Sequence, residues 1–306
     1  MSRLTIADLS LAQLRQRLRS RGVWLRTGLF TTHIQSPVQL IAEGLHAMYA
    51  DYDIGNEEYA DFHIRLGSPR GLRAWVRPQV NFSLDGGAPF NPLPLSQSYA
   101  MLEWCLNWCI TAHINSYLIL HSAVLEREGH ALILPAPPGS GKSTLCAALM
   151  LSGWRLLSDE LTLVDLVSGN IIPLPRPVSL KNASIDVIAA FAPGASFTRR
   201  TYDTVKGTIC HLRPTAASIA RSFEPAKAAW LVFPQWQADT PASLTPRPKA
   251  RAFMEAATNA FNYSLLGTPG FETLATLIDR CDTYDFRYGH LDEAIALFNA
   301  LETPRK

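Results

Sequence analysis

Residues 136–143 read Ala136-Pro137-Pro138-Gly139-Ser140-Gly141-Lys142-Ser143, between an apolar, strand-like run (Ala131 to Leu134) and a helix-like run (Thr144 to Met150). Strand, glycine-bearing loop and helix in that order make an anion cradle. Glycines let backbone N–H groups crowd around phosphate oxygens, a lysine reaches the outer phosphates, and a serine hydroxyl can hold Mg²⁺. The helix that opens at Lys142 adds the positive end of its dipole. Ala136 stands where the pattern has its first glycine, and alanine is the smallest replacement. Residues 136–143 with Thr144 are therefore expected to bind a nucleoside triphosphate, ATP with Mg²⁺.

The 306 residues suffice for one large domain or two modest ones, and a chain 47% hydrophobic and 18% charged can bury a core. Lys and Arg number 28 against 26 Asp and Glu, a balance that argues against a dedicated nucleic-acid binder. The five cysteines, at 105, 109, 146, 210 and 281, have no metal-ligand spacing; Cys105 and Cys109, four apart, read as small buried hydrophobes, and a reduced, cytoplasmic setting is expected. No apolar block follows Arg3, so no signal-peptide pattern is expected. Trp104 to Leu125 carries no Asp, Glu, Lys or Arg. Its polar interruptions favour a buried helix followed by a buried strand over a membrane span.

Thr5-Ile6-Ala7-Asp8 has the form of a capping box, and Leu11, Leu14 and Leu18 follow at helical spacing. Arg15, Arg17, Arg19 and Arg21 make this helix basic, either as a solvated face or as a docking surface for an acidic partner. A strand-like run over Trp24–Ile34, a helix over Val38–Tyr49 and strands near Tyr59–Leu66 and Ala74–Leu84 complete a small α+β unit over residues 1–95. A core of residues 96–306 follows. It opens with a helix over Ser96–Ser116 and continues with strands at Tyr117–Arg127, His130–Leu134, Trp154–Leu166 and Ala228–Phe233. Helices are expected at Lys249–Leu265, Phe271–Asp279 and Leu291–Leu301, with a strand at Thr283–Tyr288. The fold class is α/β.

Two acids, Asp159-Glu160, sit just after the strand-like run that follows the loop helix. Neighbouring residues on a strand face opposite ways, so the pair is not simple packing: one acid can hold Mg²⁺ and the other can accept a proton. His121 lies in an apolar strand and, on chemistry alone, reads as a satisfied core residue. Trp230, Phe233 and Trp236 read as core and connector aromatics rather than a base-stacking platform. Lys206, His211 and Arg213, in a loop-like region, could serve as a phosphate clamp or as plain surface charge.

The order His121, Gly141-Lys142-Ser143, Gly153, Arg155-Leu156, Asp159-Glu160 resembles the catalytic core of HPr kinase/phosphorylase. Within that family it is most similar to the HprK-related kinases, type A, whose segment after the acids is similar to residues 175–182. The similarity covers about 60 residues (Leu120 to Asn182) and not residues 1–95. It implies a phosphoenolpyruvate carboxykinase-like P-loop core; because the nucleotide chemistry is complete within residues 96–306, residues 1–95 are expected to form a separable accessory unit that selects the substrate. The similarity further implies His121, Lys142, Asp159 and Glu160 as catalytic residues and Ser143 and Asp159 as metal ligands; Arg176 and Lys181 are, apart from the resemblance, charged candidates for further nucleotide contacts. HPr kinases are hexamers, so self-association is implied. The family's Glu-Ile-Arg-Gly-Leu-Gly signature is absent here, and Leu180-Lys181-Asn182 stands in its place. A serine or threonine hydroxyl on a peptide or small carrier protein is therefore the implied acceptor, in a one-way reaction. Two alternatives remain: a small-molecule (serine-type) kinase, and a nucleotide-binding regulatory or scaffold module that transfers nothing. No nucleic acid and no membrane is expected as a partner.

Overall fold

The computed structural model describes residues 4–55, 59–69, 76–137 and 139–303. The chain is a mixed α/β protein with three sheets among the described residues. The Thr5–Asp8 box exists, but it closes a short 3-10 turn, Ile6–Asp8, with the Asp8 carboxylate accepting from the Thr5 N–H at 2.7 Å. A second reciprocal box, Ser10 with Gln13, starts helix α1 (Leu11–Arg19), which buries Leu14 and Leu18. The run expected as one strand over Trp24–Ile34 is a hairpin of β1 (Val23–Thr27) and β2 (Phe30–Gln35). Gly28, at φ +56°, makes the turn. Helix α2 (Gln39–Met48) and strands β3 (Phe62–Gly67), β4 (Gln79–Leu84) and β5 (Leu93–Pro94) complete a sheet of order β1-β2-β3-β4-β5. The start of the expected strand at 74–75 lies outside the described residues.

Helix α3 (Ser98–His113) closes this sheet. Its all-round apolar composition predicts burial, and Met101, Leu102, Cys105, Leu106, Cys109 and Ile110 share one core with Ile34, Ile41, Leu45 and Phe82. Leu161, Leu163 and Leu174 belong to the same core. The apolar interior thus runs across the boundary expected at residue 95.

The large sheet has the order β10-β9-β6-β7-β14-β16-β15, with β8 also pairing β6. Its strands are β6 (Tyr117–Arg127), β7 (His130–Pro135), β8 (Arg155–Ser158), β9 (Leu161–Asp165), β10 (Ile171–Ile172), β14 (Lys227–Trp236), β15 (Ser243–Pro246) and β16 (Asp282–Tyr288). Strands β7, β14 and β16 run parallel. Helix α4 (Lys142–Leu151) follows the loop after β7. The expected strand over Trp154–Leu166 is two strands. The first half of β6 pairs with β9 as far as His121↔Leu161, and the second half pairs with β7 and, from Val124↔Ser158, with β8. Asp159 and Glu160 fall in the gap.

The third sheet, β11 (Val178–Lys181), β13 (Gly207–Leu212) and β12 (Thr201–Thr204) in that order, turns the expected loop around Lys206 and His211 into a hairpin. Helices α5 (Ala183–Phe191) and α6 (Ala216–Ala220) flank it in sequence. The helix expected over Lys249–Leu265 is divided into α7 (Lys249–Thr258) and α8 (Tyr263–Leu266). Between them the backbone bonds to β6: His121 N–H donates to the Asn259 carbonyl at 2.7 Å and Phe261 N–H to the Ile119 carbonyl at 2.8 Å. Helices α9 (Thr268–Arg280) and α10 (Leu291–Asn299) complete the chain. All five cysteines are buried and free. Among the described residues no helix is long and apolar enough to cross a membrane.

Leu102 on α3 is fully buried in the shared core. Leu102→Ala is expected to lower unfolding stability by about 2–5 kcal/mol through the cavity it leaves. The loss should appear in one cooperative chemical-denaturation transition; two separated transitions would show residues 4–95 folding independently.

Candidate nucleotide and acid–base site

The loop leaves β7 at Pro135 and passes Ala136, which is buried and needs no left-handed backbone, so alanine serves at that position. Gly139 and Gly141 do need it, at φ +87° and +86°. At Gly141 a Cβ would stand 2.4 Å from the Tyr288 hydroxyl and 2.8 Å from the Trp236 Cβ. The hydroxyl of Tyr288 donates to the Gly141 carbonyl at 3.0 Å, and the Trp236 N–H donates to the Ser140 carbonyl at 2.9 Å. Two strands beyond β7 thus clamp the loop. Ser140 Oγ is buried without a hydrogen-bond partner. Ser143 and Thr144 are half-buried at the start of α4. Pro137 adjoins Pro138, which lies outside the described residues.

Lys142 is buried, and its ammonium donates to His121 Nε2 at 3.3 Å. An ammonium has no acceptor, so His121 carries its ring proton on Nδ1. Burial first, then the Lys142 charge, lowers the His121 pKa to about 4. Its ring meets Phe261 edge-on at 5.7 Å. Glu160 approaches the same imidazole nitrogen, its Oε2 3.9 Å from Nε2, while its Oε1 faces Lys181 Nζ at 3.6 Å. Burial pushes the Glu160 carboxyl up, but Lys142, Lys181 and His121 outweigh it and hold the pKa below the usual carboxylate range.

Asp159 behaves oppositely. Burial and the adjacent Glu160 charge raise its pKa. Its Oδ2 accepts from the Ser179 N–H at 3.1 Å on β11, and its Oδ1 is buried without a partner. The neighbouring acids thus shift in opposite directions, Glu160 downward and Asp159 upward. A buried acid oxygen without a partner suits Mg²⁺, which takes one or two carboxylates plus phosphate and water oxygens. Among the described residues no group of three His, Cys, Asp or Glu forms a metal cage, so Asp159 and Ser143 would hold the ion together with a ligand's phosphates.

Of the expected site residues, the structure brings together His121, Lys142, Glu160 and Lys181, with Asp159 beside them. Arg176 makes its contacts elsewhere. It is buried, and its Nη2 donates to Asn107 Oδ1 at 2.6 Å and to the Glu103 carbonyl at 3.3 Å. Glu103 in turn accepts from the Tyr49 and Tyr99 hydroxyls. With Tyr52, whose hydroxyl donates to the Pro175 carbonyl at 3.0 Å, this network fastens the segment leading into β11 to the first core. Lys206 tops the β12–β13 hairpin, whose turn rests on Asn182: the side-chain oxygen of Asn182 accepts from Thr208 N–H at 3.0 Å. His211 is buried on β13, and Arg213 pairs with Asp51. Ser179, Tyr288 and Trp236 carry no local sequence signal; they act through backbone groups or through contacts distant in sequence.

No known family model matches the chain, and no curated protein does either, so the site's chemistry carries the functional reading.

His121 titration is the direct check on the cluster. The folded-state pKa of about 4 lies below the ordinary 6.5, so the unfolded chain takes up the proton first. This contribution to stability is complete above about pH 6.5 and is lost as the pH falls towards 4. An NMR titration is expected to show a midpoint near 4, and Lys142→Met should raise it. A wild-type midpoint at 6.5 would mean that the imidazole is neither desolvated nor pressed by Lys142.

Proposed function

We propose that the chain is an ATP-dependent kinase of the HPr kinase type, built on a phosphoenolpyruvate carboxykinase-like core. Its acceptor is a serine or threonine hydroxyl of a peptide or small carrier protein. The observation that carries this reading is the meeting of a phosphate-type loop with an ionised acid: Lys142, at the start of α4, is 3.3 Å from His121, which lies 3.9 Å from Glu160. A module that only bound nucleotide would have no use for an acid pair at a strand break, one acid buried and the other half-buried.

Lys142 and the N–H groups at the start of α4 would hold the β- and γ-phosphates and neutralise charge that builds up during transfer. Mg²⁺, held by Ser143 and Asp159, would supply further charge neutralisation on the phosphate oxygens. Glu160 is ionised, so it is the acid suited to take the proton from the acceptor hydroxyl. The hydroxyl oxygen bonds to the γ-phosphorus, the bond to the ADP oxygen breaks, and the proton passes to Glu160. Lys181 keeps Glu160 charged until then. Neutral His121 presents its Nε2 to both the Lys142 ammonium and the Glu160 carboxylate, and the Lys142 charge helps hold Glu160 ionised.

Lys142→Ala is expected to cost about 1.5–3 kcal/mol of Mg-ATP binding, the worth of a charged hydrogen bond, with the fold intact. Isothermal titration reads this, and unchanged affinity would remove the loop as a phosphate site.

Asp159→Asn and Glu160→Gln should each keep Mg-ATP binding and lose phosphoryl transfer. The assay is γ-labelled ATP with an array of serine- and threonine-containing peptides. Wild-type transfer by both variants would refute the acid–base scheme.

A further inference from the structure

The loop's outer wall carries a large aromatic side chain that the core does not use. Of the three aromatics near the end of β14, Trp230 and Phe233 are buried, at 1% and 6% exposure, whereas Trp236 is 51% exposed. Trp236 is nevertheless held at several points. Its N–H donates to the Ser140 carbonyl at 2.9 Å, its Cβ stands against Gly141, and its indole Nε1–H donates to the Gly289 carbonyl at 3.3 Å. The next residue is pinned as well, with Gln237 N–H donating to the Tyr288 carbonyl at 2.9 Å.

An indole fixed in orientation but left half in water gains little from burial. Its position supplies a reason. Strands β7, β14 and β16 are parallel and end on the same edge of the sheet, the edge where ligands of open α/β sheets sit. The loop after β7 occupies that edge, and Trp236 is the last residue of the neighbouring strand β14. A nucleotide anchored there by its phosphates still has an apolar, flat base to place. A rigid indole face beside the anchor can stack on any base without rotamer loss.

We propose that Trp236 is the base-stacking platform of a nucleobase subsite next to the phosphate loop. The proposal rests on the nucleotide reading above and adds where the base lies. The subsite selects for an aromatic nucleoside on the polyphosphate through stacking, and the purine–pyrimidine preference follows stacking strength.

Calorimetry on the full chain with Mg-ATP and with Mg-tripolyphosphate separates the two ideas. Wild type is expected to bind both, ATP more tightly. Trp236→Leu should weaken Mg-ATP about tenfold, as loss of one stacked base does, and leave Mg-tripolyphosphate unchanged. Trp236→Phe, which keeps a ring, should restore most of the ATP affinity. Equal ATP affinity in Trp236→Leu and wild type would overturn the subsite, and so would an equal loss for both ligands, which would make Trp236 a wall of the loop only. If wild type binds tripolyphosphate as tightly as ATP, the subsite falls while the phosphate site stands. If wild type binds neither, the nucleotide reading falls and the subsite with it.

Discussion

Strand β6 is held by β9 up to His121 and by β7 and β8 beyond it, and this exchange of partners creates the site. Were β8 and β9 one strand, Asp159 and Glu160 would point to opposite faces of a continuous sheet. The break lets both acids stand by β6 at the level of His121, one strand away from the loop that follows β7. The backbone of β6 is tied at the same level to the segment after α7, through the Asn259 carbonyl and the Asn262 side chain. The backbone that carries His121 is therefore held by bonds that do not depend on the charge of the imidazole.

Desolvation is the cost of gathering these groups, and pairing offsets it. An isolated buried carboxylate or ammonium shifts its pKa until it is neutral. Here Glu160 keeps its charge because Lys142 and Lys181 are close, while burial and the Glu160 charge raise the Asp159 pKa. A polyanion arriving at the loop would change that balance, because Lys142 would then divide its field between phosphate and His121. The imidazole would become easier to protonate at the same moment. Charge in the cluster is thus coupled to what occupies the loop.

Much of the site was legible in the sequence because its parts are close along the chain. The loop, Lys142, Ser143 and the acid pair lie within 25 residues (136–160), and loop chemistry is local. What was not legible depends on distant pairing. The break at Asp159 is set by β6. The division of the Lys249–Leu265 helix follows from bonds between 259–262 and the edge of β6, which outweigh helix propensity. Arg176 carries a charge next to the site in sequence, yet its partners Glu103 and Asn107 belong to α3. Trp236 has an ordinary apolar-strand context, and only the loop packed against it gives its position meaning.

The core shared between the first sheet and later elements also sets an order of events during synthesis. The first sheet and α2 are synthesised before α3, and Ile34, Ile41, Leu45 and Phe82 stay uncovered until the rest of their core is made. Later apolar partners, Leu161 to Leu174, come some 80–140 residues further on, and Ile219 later still. Contacts so far apart in sequence make closure slow. The nascent chain therefore spends the interval with an open apolar face, and the phosphate loop is made before the body that supports β9 is sealed.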